Sequence, residues 1–455
     1  MTDPQPALGL ARSADGRTFT ATSPLDELQV GSLVALRVPD GSAYLGQVLN
    51  LTADAVRPVH GVLLGELSSA GLVRRRHAFT KADVVGLDPR EVELLQASTG
   101  CSLPIGEWQL PGGHSGLALR PQGFNRHTFL CGQSGSGKTY ALGVILEQLL
   151  LKTLLPMVIL DPNGDYVRLG EPRADAPQDV ADEIRAMPLD VRGATGERAL
   201  TVTFVDLPRP AQAAALELDP IQDRAEYSAW LELRPEDVQN DPAAMVQGLL
   251  AGDAEHRAFG QRLANLGISS WPIWSRGRSD EPAVAPRARV LDLSEFENRP
   301  EVLVAALSVV EQLWADRASR QPRLIVIDEA HNLCPAQPTT PLERALVERL
   351  IQIAAEGRKY GLWLLLSTQR PSKVHPQVVS QCDNLVLMRM NSPTDLAELS
   401  QLFGFVPQGM LAASPFFTQG EVLVAGGFVP VPGFGRMGAR LTVEPGSDVA
   451  VPMPD

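Results

Sequence analysis

Eight consecutive residues, Gly132-Gln133-Ser134-Gly135-Ser136-Gly137-Lys138-Thr139, have the types and spacing to hold a nucleoside triphosphate. They fit G-x-x-x-x-G-K-[ST], in which glycines let backbone N–H groups curl around phosphate oxygens. Lys138 supplies a point charge for the β- and γ-phosphates, the Thr139 hydroxyl a ligand for Mg²⁺, and Tyr140 follows at the start of a helix. A second constellation, Asp328-Glu329, ends the run RLIVID and continues as EAHNL. An aspartate there can hold the metal through water, and a glutamate beside it can deprotonate an attacking water. Strand alternation aims the two carboxylates in different directions, so one serves the metal while the other faces the γ-phosphate.

Two more segments have polar groups where a nucleotide could feel them. LWLLLSTQ ends in Ser367, Thr368 and Gln369, and a loop with Arg370, Lys373 and His375 follows at once. Gln369 can report loss of the γ-phosphate to that basic loop. Upstream, LERALVERLIQIAAE has an apolar stripe of Leu342, Leu346, Leu350, Ile353 and Ala354, and Gly357 reads as its stop. Arg358 and Lys359 are then thrown outward. They read as dipole partners of the helix end or, more sharply, Arg358 reaches the nucleotide of a neighbouring subunit.

The elements that must position these groups are strands buried on both faces. HTFLC (127–131), MVILD (157–161), LTVTFVD (200–206), ARVLDL (288–293), RLIVID (323–328), LWLLLS (362–367) and NLVLMRM (384–390) are mostly continuous apolar runs, with helices such as YALGVILEQLLL between them. That rhythm predicts an α/β fold with a mostly parallel sheet covered on both sides. Residues 18–98 read instead as short strands with turn punctuation, including Pro39-Asp40-Gly41, and predict a small β-barrel. The expected division is a flexible N-terminus (1–17), a β-barrel (18–98), an ATPase domain (99–440) with a helical insertion at about 207–285, and a tail (441–455).

The 455 residues are 44% hydrophobic and 20% charged, which excludes wholesale disorder. The net charge of −13 excludes bulk attraction to nucleic acid, so any such contact is a local basic patch or a pore. Lysine is confined to Lys81, Lys138, Lys152, Lys359 and Lys373. Four scattered cysteines and the absence of a signal-length or membrane-length apolar run predict a reduced, cytoplasmic, soluble protein. Arg74-Arg75-Arg76-His77 reads as a solvated basic turn.

The chain resembles the HerA branch of the HerA/FtsK motor ATPases. The resemblance rests on FNRHTFLCGQSGSGKT, VILDPNGDY, LIVIDEAHNL and AAEGRKYGLWLLLSTQRPSKVHPQVVSQCDN. It implies a RecA-like P-loop core, a homo-hexameric ring around duplex DNA and ATP with Mg²⁺. Lys138, Thr139, Asp328, Glu329, the sensor Gln369 and an inter-subunit arginine finger, Arg358, match its motifs. Arg126 matches a second arginine, and Asp161, Asn163, Gly164 and Asp165 match a D-x-x-G-acidic-Tyr segment. Partners implied are a NurA-type nuclease at DNA ends or, alternatively, a sirtuin-like or nuclease effector in antiphage defence, with no membrane. Arg370 and Lys373 are the expected DNA contacts. A protein-secreting ATPase shares the core; a metabolic kinase would leave Glu329 and Arg358 unexplained.

Overall fold

The computed structural model describes residues 7–22, 28–51, 58–68, 71–75, 77–110, 113–196, 198–233, 242–274 and 285–445. The chain packs as two compact units, the first built from residues 1–153, 369–371 and 382–441 and the second from 154–368, 372–381 and 442–455. This division differs from the one expected from sequence, which cuts near residue 98.

The first unit begins with β1 (Gly9–Ser13), β2 (Thr18–Thr22), β3 (Leu33–Arg37), β4 (Ala43–Leu51), β5 (Val59–Ser68), β6 (Gly71–Val73) and β7 (Phe79–Gly86). They run in the order β2-β1-β7-β3-β4-β5-β6, and β2 also pairs with β5, closing a barrel. β1 lies inside the stretch expected to be a flexible N-terminus: its alternation puts Gly9, Ala11 and Ser13 inward, and burying that face holds the strand in place. Phe19, Val34, Leu36, Tyr44, Val48 and Phe79 fill the barrel, with the Tyr44 and Phe79 rings stacked at 5.7 Å. Of the basic turn, Arg74 and Arg75 are exposed and Arg76 lies outside the described residues.

The chain continues through α1 (Pro89–Thr99), β8 (Leu103–Leu110), β9 (Gly113–Leu119), β10 (His127–Cys131) and α2 (Lys138–Lys152). The barrel is packed directly on later parts of the same unit. A Cβ on Gly31 would lie 2.6 Å from the Phe434 ring, and Gln47 Nε2 donates to the Pro432 carbonyl at 2.7 Å.

The second unit holds β11 (Met157–Asp161), α3 (Gln178–Ala186), β12 (Leu189–Arg192), α4 (Arg209–Ala215), α5 (Arg224–Glu232), α6 (Pro242–Leu250), α7 (Ala254–Asn265), β13 (Ala288–Asp292), α8 (Arg299–Ala315), β14 (Arg323–Ile327), α9 (Pro341–Glu356), β15 (Leu362–Thr368) and α10 (Pro376–Val379). Its strands pair in the order β12-β13-β11-β14-β15, all parallel, as the apolar runs predict. The helical insertion consists of α4 to α7. The expected strand at 200–206 is absent: Val202 makes only an isolated bridge to Trp274, and Phe204–Asp206 is a 3₁₀ turn. Phe204 instead packs edge-on to Trp230 and Trp274 in the insertion, while the four-residue β12 takes the sheet position beside β13.

The first unit resumes with β16 (Cys382–Leu387), α11 (Pro393–Leu402), α12 (Gln408–Leu411), β17 (Glu421–Gly426) and β18 (Gly433–Met437). β10 and β16 pair in parallel, and β16, β17, β18, β8 and β9 follow one another antiparallel. The expected tail begins ordered in the second unit, with Thr442 bridged to Pro172; residues 446–455 lie outside the described residues.

Candidate active site

In the first unit, β10 delivers the chain into a loop that turns on Gly135 (φ 72°) and Gly137 (φ 92°), a left-handed backbone glycine adopts cheaply. Gly137 caps α2 without a side-chain bond, so the first N–H groups of that helix keep the orientation that suits an anion. Lys138 is buried, Ser134 and Gly135 are exposed, and Thr139 is half-buried. Gly132 is required for space, since a Cβ would lie 2.7 Å from Ser136 Oγ and 2.8 Å from Met388 Cβ. That buried Ser136 hydroxyl makes no hydrogen bond.

Residues just beyond β16 bracket the loop. Arg389 accepts at its carbonyl from Gln133 N (2.9 Å) and donates through Nη2 to the Gly135 carbonyl (3.3 Å), while Asn391 N donates to Gln133 Oε1 (3.1 Å). NLVLMRM reads as a strand to residue 390, but β16 stops at Leu387 because the backbone beyond it serves the phosphate loop. Tyr140, expected at the nucleotide, accepts at its hydroxyl from Arg440 N at 2.7 Å. Arg126, just ahead of β10, lies 3.6 Å from Asp383 in an exposed ion pair, an arrangement worth little to stability.

In the second unit, polar groups gather at the carboxyl ends of β11, β14 and β15. Asp328 is fully buried; its Oδ1 accepts from Glu329 N at 2.9 Å, and Tyr166 Oη lies 3.5 Å from its Oδ2. Glu329 has φ 42°, a region that costs a non-glycine residue about 1–3 kcal/mol and clusters at functional sites. His331 Nδ1 lies 3.2 Å from Glu329 Oε2 and 3.1 Å from Thr368 Oγ1.

Asp161 receives the N–H groups of Asp165 and Tyr166 on its two oxygens, at 3.0 and 2.7 Å, and so folds the turn that contains Asn163 and Gly164 (φ 74°). Burial pushes its carboxyl up to about 7, with the nearby Asp165 and Asp328 charges adding to the shift. The matched D-x-x-G-acidic-Tyr segment thus has a mechanical role: it holds Tyr166 beside Asp328. Sequence reasoning names Thr368 only as a strand-end polar group and gives Tyr166 and His331 no role of their own; a tyrosine in the turn after β11 and a histidine two residues past Glu329 are weak signals alone.

Arg358 and Lys359 are exposed in the 3₁₀ turn Gly357–Tyr360. α9 stops at Gly357, its C-cap, as the sequence suggests, but that glycine does not stop it by a left-handed turn. It is right-handed (φ −55°) and accommodates the close approach of the Leu362 carbonyl, 2.9 Å from a Cβ placed there. The left-handed break falls at Gly361 (φ 82°). Gln369 is half-buried, and Arg370 and Lys373 are exposed. Burial holds His375 below its ordinary value, so it is a neutral member of the expected basic loop.

With this geometry in place, residues 104–257 match the DUF87 family, Helicase HerA, central domain. These residues are similar to a HerA-type central domain. The chain is 25% identical to a probable helicase of Methanocaldococcus jannaschii over 68% of its own length, and 23% identical to the DNA double-strand break repair helicase HerA of Pyrococcus furiosus over 69%. It spans 65% of the length of each of these relatives. VirB4 of Thermoanaerobacter pseudethanolicus superposes with a TM-score of 0.53 at 15% identity, covering 75% of this chain and 97% of VirB4. The fold is therefore the RecA-like P-loop class, as the resemblance implies. Asp328, Glu329, Arg358 and Gln369 lie beyond the residues that match the HerA domain.

Proposed function

We propose that the protein hydrolyses ATP as one subunit of a hexameric ring that moves duplex DNA, with a partner nuclease at DNA ends. The observation that carries the reading is the phosphate loop: a helix start without a side-chain cap, a buried Lys138 and glycines in the conformations phosphate binding requires. In this reading Lys138 neutralises the β- and γ-phosphates, Glu329 activates water and Gln369 senses the γ-phosphate. Arg358 stabilises transition-state charge in a neighbouring subunit, and Arg126 adds a second cation. Arg370 and Lys373 contact DNA phosphates, whose sequence-independent charge suits a motor.

Among the described residues no three His, Cys, Asp or Glu side chains converge as a metal cage. The donors fit a hard ion carried in with nucleotide, because Mg²⁺ retains waters and takes phosphate oxygens. Thr139 Oγ1 and Asp328, the latter through water, would hold it, and the ion would supply charge neutralisation at the phosphates.

The test is ATP turnover with and without linear duplex DNA, together with native mass. We expect a hexamer whose turnover rises with DNA, Lys138→Ala without tight ATP binding, and Glu329→Gln that binds ATP without turning it over. A hexamer whose turnover ignores DNA instead favours an ATP-gated platform for an effector. Glu329→Gln at the wild-type rate removes Glu329 from its role.

A further inference from the structure

His331 stands between two groups that matter to the reading above. Its Nδ1 makes a hydrogen bond of 3.1 Å with Thr368 Oγ1, the last residue of β15, and lies 3.2 Å from Glu329 Oε2. All three belong to the second unit. The main chain of Glu329 is fixed, since its N–H is held by Asp328 Oδ1 and its φ of 42° leaves little freedom. What varies is the direction of its carboxylate, and the imidazole edge is in contact with it. An imidazole is aimed by the hydrogen bond its nitrogen makes, so Thr368 sets the ring and the ring sets Glu329. Thr368 also immediately precedes Gln369 in the chain, which places this contact at the strand end where a γ-phosphate sensor is expected.

We propose that His331 is a positioning residue that couples the end of β15 to Glu329, by way of the Thr368 hydroxyl. This rests on Glu329 being the water-activating carboxylate. Nucleotide affinity does not depend on the relay; the orientation of the base does. Thr368→Val preserves the buried shape and deletes the hydroxyl, and Thr368→Ser restores it. Misaiming a catalytic group by about 1 Å costs on the order of a hundredfold in rate.

The experiment is a double-mutant cycle on ATP turnover, with kcat and KM separated and folding checked by nucleotide binding. His331→Ala and Thr368→Val are each expected to lower kcat by roughly tenfold to a hundredfold while KM stays within about twofold. Thr368→Ser keeps the wild-type rate. The double variant is no slower than His331→Ala, because the threonine acts only through the histidine. Losses that multiply in the double variant, an unchanged kcat in His331→Ala, or a rise in KM at constant kcat each overturn the proposal. Glu329→Gln is run alongside: if it turns over ATP normally, the base assignment fails and takes the relay with it. If it is inactive while His331→Ala is normal, the relay alone fails.

Discussion

Asp161 is a buried acid that spends both oxygens on its own turn. Its proton linkage has a definite sign. The carboxyl titrates at about 7 when folded, against an ordinary 3.8. Below about pH 4 both states hold the proton; between about pH 4 and pH 7 only the folded state does, so stability falls as pH rises through that window and levels off above it. Asp161→Asn cannot ionise and loses this slope. Thermal unfolding of nucleotide-free protein at about pH 5 and pH 8 should show wild type losing ground to the variant at the higher pH; parallel curves would remove the buried charge from the account. The phosphate loop and the Asp328-Glu329 pair are legible in sequence because their groups are consecutive. Tyr166 and His331 are not, because their partners, Asp328 and Thr368, lie 162 and 37 residues away and meet them only once the sheet is built.

At the scale of elements, α2 shows how a helix that carries a phosphate loop is fixed from behind. Arg440 is fully buried against it, with Nε 3.3 Å from Glu147 Oε1, and its backbone N–H held by Tyr140. A Cβ on Gly143 would lie 2.6 Å from the Arg440 guanidinium. Helix propensity alone favours Ala over Gly by about 1 kcal/mol, yet an arginine this enclosed has nowhere to swing. Gly143→Ala is expected to destabilise by about 1–3 kcal/mol, as overpacked cores do. An unfolding midpoint at or above that of wild type would show that the arginine has room. The long apolar strands are readable because burial on both faces leaves few alternatives. The failures are where tertiary packing outweighs local pattern: Leu200 and Val202 are buried outside any strand, Phe204 packs on the aromatic side chains of the insertion, and β12 is too short to announce itself. Gly357 ends α9 as its sequence suggests, but for a reason sequence does not separate from a left-handed stop: it admits the close approach of the Leu362 carbonyl.

For the molecule as a whole, the proposed handling of DNA by a chain of net charge −13 requires its cations to be concentrated locally, and the proposed ring would gather them from several copies. Arg358 tests that assembly. Exposed in its 3₁₀ turn, it is expected to act on the nucleotide of a neighbour, where such an arginine contributes on the order of 10³-fold or more in rate. Arg358→Ala and Lys138→Ala subunits, each inactive alone, should regain turnover when mixed; no regain at any ratio, with mixing verified by native mass, would make Arg358 structural. The contact of Gly31 with Phe434 and Met410, and of Gln47 with Pro432, also bears on descent. A lineage could not exchange this barrel for another as a free-standing cassette. Residues near 410 and 434 would have to change with it, because the Phe434 ring and the Met410 side chain pack on Gly31 and the Pro432 carbonyl accepts from Gln47.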